Sequence, residues 1–254
     1  MYEQFFFALA GQQQGAESET DQIISRFFPN NELGAIWDPY DEETLFDPAF
    51  EQPAVLGQGV SYVFDKSPNS VSLIQDRTDR QPIWEAGPGS SRRLAFDGSN
   101  HRMVLDGSFA PGSNDYYLIY AVALNNTALN VVLSNTSTAT IRVSCTTNNL
   151  TVRHSGVGSG EVSVFGVSSV STGTVFIDEF IYEGGLGSAF RNGSASGDNG
   201  SALDAATQPY NSFGRQNNAT GQLNAQVYFA MVARGAPSAS DRAWLRDLIS
   251  ARLT

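Results

Sequence analysis

The chain has 254 residues, 41% of them apolar, with 24 Gly, 16 Phe, 9 Tyr and 3 Trp, and its one cysteine, Cys145, has no partner for an intrachain disulfide. That composition supplies a large β-rich core and excludes both a disordered chain and a disulfide scaffold. Fifteen Lys and Arg against 26 Asp and Glu leave a formal charge of −11, which repels phosphate backbones and anionic lipid and so excludes nucleic acid as a partner.

Residues 1–33 differ from the rest. Phe5, Phe6 and Phe7 form an aromatic cluster with neither a cationic leader nor an apolar run of membrane-spanning length, which predicts cytoplasmic synthesis without membrane insertion. Ser18 and Asp21 then form a capping pair, and Ile23, Ile24, Phe27 and Phe28 fall on one helical face that Pro29 ends. Two readings of this segment stand: it packs on its own chain, or it is an attachment arm that buries its aromatics on another subunit.

From residue 55 onward, short apolar runs alternate with turn signals at the spacing of an antiparallel sandwich. The predicted strands are 60–65, 72–75, 93–96, 102–105, 116–124, 130–133, 140–145, 150–154, 162–167, 175–182, 188–191 and 226–234. Runs 116–124 and 227–233 are almost continuously apolar, as in strands buried on both faces. Residues 191–223 read as loops with one strand near 212–215. Ser238 and Asp241 then cap a helix whose buried stripe is Trp244, Leu245, Leu248, Ile249 and Leu253.

Several motifs recur in a fixed order: Trp37-Asp38-Pro39, Leu45-Phe46-Asp47, Asp65-Lys66-Ser67 and Phe96-Asp97-Gly98, with Ser212-Phe213-Gly214 and the Ser-capped helix at the far end. Their order and spacing resemble the concanavalin A-like lectin/glucanase (LamG-like) domains of tailed-bacteriophage structural proteins. The resemblance implies an all-β jelly-roll sandwich over 34–254, with a short helical or extended arm over 1–33 and a C-terminal helix. It further implies a virion surface protein made in a bacterial host: a fibre, spike or decoration subunit, homo-oligomeric, contacting other virion proteins and binding a host-surface polysaccharide. A capsid or tail cement protein and a glycan-degrading enzyme are the alternatives on the same fold.

Glycanases of that fold carry Glu-x-Asp-x-x-Glu on one strand face. Here Asp178-Glu179 and Glu183 come nearest, but Ile181 stands where the middle carboxylate belongs. Strand positions four apart lie about 13 Å apart, against the roughly 5 Å of a retaining pair. The expectation is therefore of a chain that is not an enzyme, with no catalytic residues. His101 and His154 sit in no metal-ligand spacing, so no metal or cofactor is expected; Ca²⁺ at Asp97 to Asn100, at Asp106-Gly107 or at Asp198-Asn199 is the alternative to a plain Asp-Gly turn. For sugar, an exposed aromatic beside polar side chains is required, and Tyr210, Asn211, Arg215 and Asn217 on the 191–223 loops are the candidates. Trp84 and Asn114 follow, with Trp84, Trp37 and Phe96 read as core.

Overall fold

The computed structural model describes residues 17–47, 52–111, 115–135, 142–154, 161–197, 201–202, 209–215 and 222–254. Phe5, Phe6, Phe7, Asn114, Asp198, Asn199 and Asn217 lie outside them. In chain order the elements are α1 (Glu19–Phe27), β1 (Gly34–Trp37), β2 (Leu45–Phe46), β3 (Tyr62–Val63), β4 (Ser72–Ile74), β5 (Ile83–Ala86), β6 (Arg92–Asp97), β7 (Met103–Phe109) and β8 (Tyr116–Leu124). There follow β9 (Asn130–Ser134), β10 (Arg142–Cys145), β11 (Asn149–His154), β12 (Glu161–Gly166), β13 (Val175–Glu183), β14 (Leu186–Arg191), β15 (Ser194–Ala195), β16 (Ser201–Ala202), β17 (Tyr210–Phe213), β18 (Asn224–Arg234) and α2 (Ala239–Arg252).

The strands form two antiparallel sheets, as the sandwich expectation requires. The first runs β15-β14-β13-β8-β18-β6-β5, with β1 on β18 and β16 on β14; the second runs β12-β11-β10-β9-β17-β7-β4-β3-β2. Alternation sorts each strand between two environments. On β8, Tyr116, Leu118, Tyr120, Val122 and Leu124 enter the core between the sheets, while Tyr117, Ile119, Ala121 and Ala123 face the opposite way into a second apolar layer. That layer is closed by the helices, through Ile23, Phe27 and Phe28 of the α1 region and Leu245 and Ile249 of α2. The continuous apolar run of β8 therefore reflects a strand buried on both faces, by a sheet on one side and helices on the other.

The helix layer corrects the reading of Ile23, Phe27 and Phe28 as an arm reserved for another subunit. All three are buried on this chain's own sheet, Ile24 is partly buried beside them, and Phe27 stacks on Tyr117 with ring centroids 5.8 Å apart. Ser18 caps α1 through the Asp21 amide and Ser238 caps α2 through the Asp241 amide. Arg26 ties the two helices together, bonding Asp241 at 2.8 Å and lying over the Trp244 ring. Strand β1 fits because Gly34 has no side chain: a Cβ there would collide with the Val232 carbonyl and the Phe28 ring. No described helix is long and apolar enough to cross a membrane.

The motif residues act as fasteners between these elements. Asp65 accepts from the amides of Ile36, Ser67 and Val71, closing the 65–72 turn onto β1. Asp97 accepts from the amides of Ser99, Asn100 and His101 and from the Ser99 hydroxyl. Asp38 binds Arg252, which also bonds Glu19, so the Trp-Asp-Pro segment holds the end of α2.

Candidate functional site

The two outer faces of the sandwich are unlike. Helices cover the outer face of the first sheet, whereas no described helix lies on the outer face of the second. Register defines which side chains this face carries, from partly exposed ones at its two ends to the buried Ser212 and Ser134 between them. Phe46 pairs with Tyr62, Tyr62 with Ile74, Ile74 with Val104, Val104 with Ser212, Ser212 with Ser134, Ser134 with Arg142, and Arg142 with Arg153. Directly opposed residues of antiparallel strands point to the same face, so these eight side chains form one row crossing the sheet. Their inward neighbours, Leu45, Val63, Leu73, Leu105, Phe213, Leu133, Val143 and Val152, are all in the core. At about 4.8 Å per strand the row is about 34 Å long.

The row is aromatic at one end and cationic at the other. Phe46, Tyr62 and Phe64 form a ring cluster, with Phe64 packed 5.1 Å from Phe46 and 4.3 Å from Tyr62. Phe64 is 39% exposed and Val104, in mid-row, is 50% exposed. At the other end Arg142 and Arg153 oppose one another directly, an arrangement that costs free energy between like charges. Burial, and then the charge of Arg153, push the Arg142 guanidinium below its ordinary value. Beside them Ser144 pairs with Thr151 on the same face; Ser144 is fully buried, and its hydroxyl has no hydrogen-bond partner. The same holds for the buried Nε of Arg153.

Of the residues expected to meet sugar, the structure separates Tyr210 from the rest. Tyr210 is completely buried, stacked on Phe109 and within 3.5 Å of the Tyr116 hydroxyl. It is a core residue, because the shift of register on β17 turns it inward while Ser212 faces out; its assignment to glycan binding is corrected. Asn211 is half-buried, and Arg215 lies beside the row, where its carbonyl accepts from the Ser134 hydroxyl. Trp84 is buried, its indole N–H donating to the Pro39 carbonyl, and Trp37 and Phe96 are core. The residues of this face lie on strands rather than on the 191–223 loops where sugar contacts were expected, and the polar positions in 140–145 and 150–154 are their sequence signal.

The carboxylates weighed for glycanase chemistry occupy three different places. Asp178 is inside the sandwich, bonded by Arg191 at 2.7 and 2.8 Å and by the Tyr120 hydroxyl; burial pushes its carboxyl up, against the pull of Arg191. Glu179 faces the helix layer, fully buried, where Tyr117 at 2.8 Å and Arg246 of α2 at 2.6 Å bind it. Glu183 is exposed at the strand end. A further concavity of about 450 Å³ lies between the start of α1, the 38–43 segment and the end of α2. Five of its charges are engaged with each other, Arg252 with Glu19 and Asp38, and Lys66 with Asp41, while Glu42 and Glu43 are exposed at its rim. Among the described residues no group of three or more His, Cys, Asp or Glu is placed to hold a metal ion.

No protein-family profile and no curated protein matches the chain. Solved structures do. A Trypanosoma rangeli sialidase matches over 86% of this chain and 33% of its own, with a TM-score of 0.53 and 13% identity. The botulinum neurotoxin serotype G binding domain matches over 74% and 49%, with a TM-score of 0.55 and 13% identity. An arabinofuranosidase complexed with arabinofuranosyl-α-1,2-xylobiose matches over 76% and 51%, with a TM-score of 0.51 and 11% identity. The chain thus spans a third to a half of the lengths of these proteins, and at such identities the likeness is one of fold. It corrects the expectation of a chain that is not an enzyme: the same fold occurs in a sialidase and in arabinofuranosidases, so the architecture gives no ground for excluding catalysis.

Proposed function

We propose that this chain is a glycan-engaging β-sandwich and that the open face of its second sheet is the surface that meets the polysaccharide. The observation that carries this reading is the asymmetry of the two outer faces: one is sealed by α1 and α2, while the other leaves Phe46, Tyr62 and Val104 in a row with polar and cationic side chains, with Phe64 packed beside its aromatic end. Aromatic faces stack on the apolar faces of sugar rings, and polar groups fix the hydroxyls; a binding surface needs both. The sialidase and arabinofuranosidase named among the fold neighbours act on glycans, which supports the substrate class.

The setting in this reading is the surface of a tailed phage or phage-like particle, as a fibre, spike or decoration subunit that contacts other virion proteins and a host-surface polysaccharide. It rests on the order of motifs between Trp37 and Gly98. The glycosidases among the neighbours favour a second reading, in which the bound polysaccharide is also cleaved.

Calorimetric titration of the full chain with bacterial surface polysaccharides tests the proposal, with product sizing after overnight incubation to detect cleavage. Binding is expected, and Tyr62→Ala with Phe64→Ala should weaken it at least tenfold while the melting transition stays cooperative. Shortened products would establish the second reading. Binding that the double variant leaves unchanged would overturn the assignment of this face.

A further inference from the structure

The aromatic end of the open face belongs to a longer apolar strip. Register places Pro53 beside Phe46, Phe46 beside Tyr62, Tyr62 beside Ile74 and Ile74 beside Val104, so no charged side chain interrupts about 19 Å of sheet at this level. Pro53 and Val104 are exposed at its two ends, and Phe64, packed on the Phe46 and Tyr62 rings, is exposed beside it. A contiguous apolar strip of this kind marks a surface that something covers. The chain carries a matching segment of its own: residues 1–16, outside the described ones, include Phe5, Phe6, Phe7 and Leu9 and a single charged side chain, Glu3.

The place where that segment joins the fold sets its reach. Lys66 follows Phe64 by two residues, and its amide donates to the Ile36 carbonyl of β1 as the chain leaves the second sheet. Its ammonium donates to the Thr20 hydroxyl at 2.9 Å. The first turn of α1 is thus fastened, through Lys66, to the edge of the sandwich that carries Phe64, and two residues of backbone span at most about 7 Å. Residues 7 to 17 reach up to about 35 Å when extended, well beyond the length of the strip. We propose that Phe5, Phe6 and Phe7 dock on the apolar strip of their own chain, against Phe64 and Val104. Aromatic contacts there remove apolar area of both partners from water at once. A segment tethered this close meets the strip at an effective concentration on the order of millimolar, above that of a second copy in dilute solution. A polysaccharide that stacks on Phe64 has to displace the segment first, and the docking holds whether or not the face binds glycan.

Disulfide trapping in the full chain tests this. Phe6→Cys is combined with Phe64→Cys, or with Val104→Cys, which leaves the ring cluster intact; the control combines it with Val164→Cys, exposed on the edge strand β12 about 34 Å from β3. Cys145 is buried and does not compete. Under mild oxidation at least one of the two test pairs is expected to close an intrachain disulfide at least about tenfold faster than the control, with thermal melts verifying that each variant is folded. Links between chains instead would assign the strip to a second copy, and rates no faster than the control in both pairs would leave the segment undocked; either result overturns the proposal. A dye that lights up on apolar surface reads the sign independently. Changing Phe5, Phe6 and Phe7 together to Ser uncovers the strip and should raise emission; a fall would mean that the three rings were themselves exposed, and would overturn the docking. The same triple variant should bind polysaccharide more tightly than wild type. If no variant binds any polysaccharide, the glycan reading falls while the docking stands on the disulfides and the dye.

Discussion

Asp97 and Arg191 represent the two ways in which single residues hold this chain. Asp97 concentrates four hydrogen bonds on one carboxylate; partial burial opposes its charge, but these bonds prevail and hold its pKa well below the ordinary carboxylate range. The sign of the linkage follows. A depressed folded pKa contributes stability that is fully present above the unfolded value of about 4 and is lost as pH falls towards the folded one. Asp97→Asn is therefore expected to lower stability by a constant amount above about pH 5, and that difference should shrink in urea melts taken progressively below about pH 4. A gap between wild type and variant that is the same at both ends of the range would refute the assignment. Arg191, by contrast, is fully buried and spends its donors on Asp178 and on the carbonyls of Thr146, Thr147 and Ser168, with its guanidinium 4.0 Å over the Phe176 ring. A buried charge of this kind persists because it is paired and bonded at every turn; it fastens β13 and β14 to the loops at one end of the sandwich. Cys145 nearby is a packing residue, its thiol pushed up to about 12 by burial and then by the charge of Asp178.

The elements differ in how far their sequences declare them. Tyr116–Leu124 and the later part of Asn224–Arg234 are apolar at successive positions because both sides of each strand are covered, and such runs are visible without a structure. Both capped helices are equally plain, since a serine three residues before an aspartate and an apolar stripe are local signals. Gly34–Trp37 is not legible as a strand. It exists because β18 is long enough to pair with β6 at Asn224–Val227 and still leave Ala230–Ala233 for a second partner, a vacancy that only the assembled sheet creates. The α1 region likewise reads as amphipathic, but whether it packs on its own sheet is decided by Ala121 and Ala123, whose small side chains lie in the layer the helices fill. Phe27→Ala, which removes the stack on Tyr117, is expected to cost about 3–5 kcal/mol in a denaturant titration of the full chain. A loss under about 1 kcal/mol, the scale of surface substitutions, would mean that α1 is not part of the folded layer.

At the scale of the whole molecule, one outer face of the sandwich is sealed by helices and the other carries no described helix and exposes Phe64 and Val104, and the proposed function is assigned to the second. Its row of side chains could not be read in advance as a row, because it is built from eight strands whose order in the sheet departs from their order in the chain. One part was within reach: the turn at Thr146 to Asn149 joins two alternating runs, and a hairpin there pairs Arg142 with Arg153. Tyr210 is illegible for the complementary reason, since a register shift on β17 reverses the side that alternation alone would give it. The most direct test of the account is hydrogen–deuterium exchange of the full chain with and without a polysaccharide that it binds. Protection is predicted in Tyr62–Val63, Ser72–Ile74, Met103–Phe109 and the Arg142–His154 hairpin, with α1 and α2 unchanged. Protection confined to the helix layer, with those strands exchanging as before, would contradict the account.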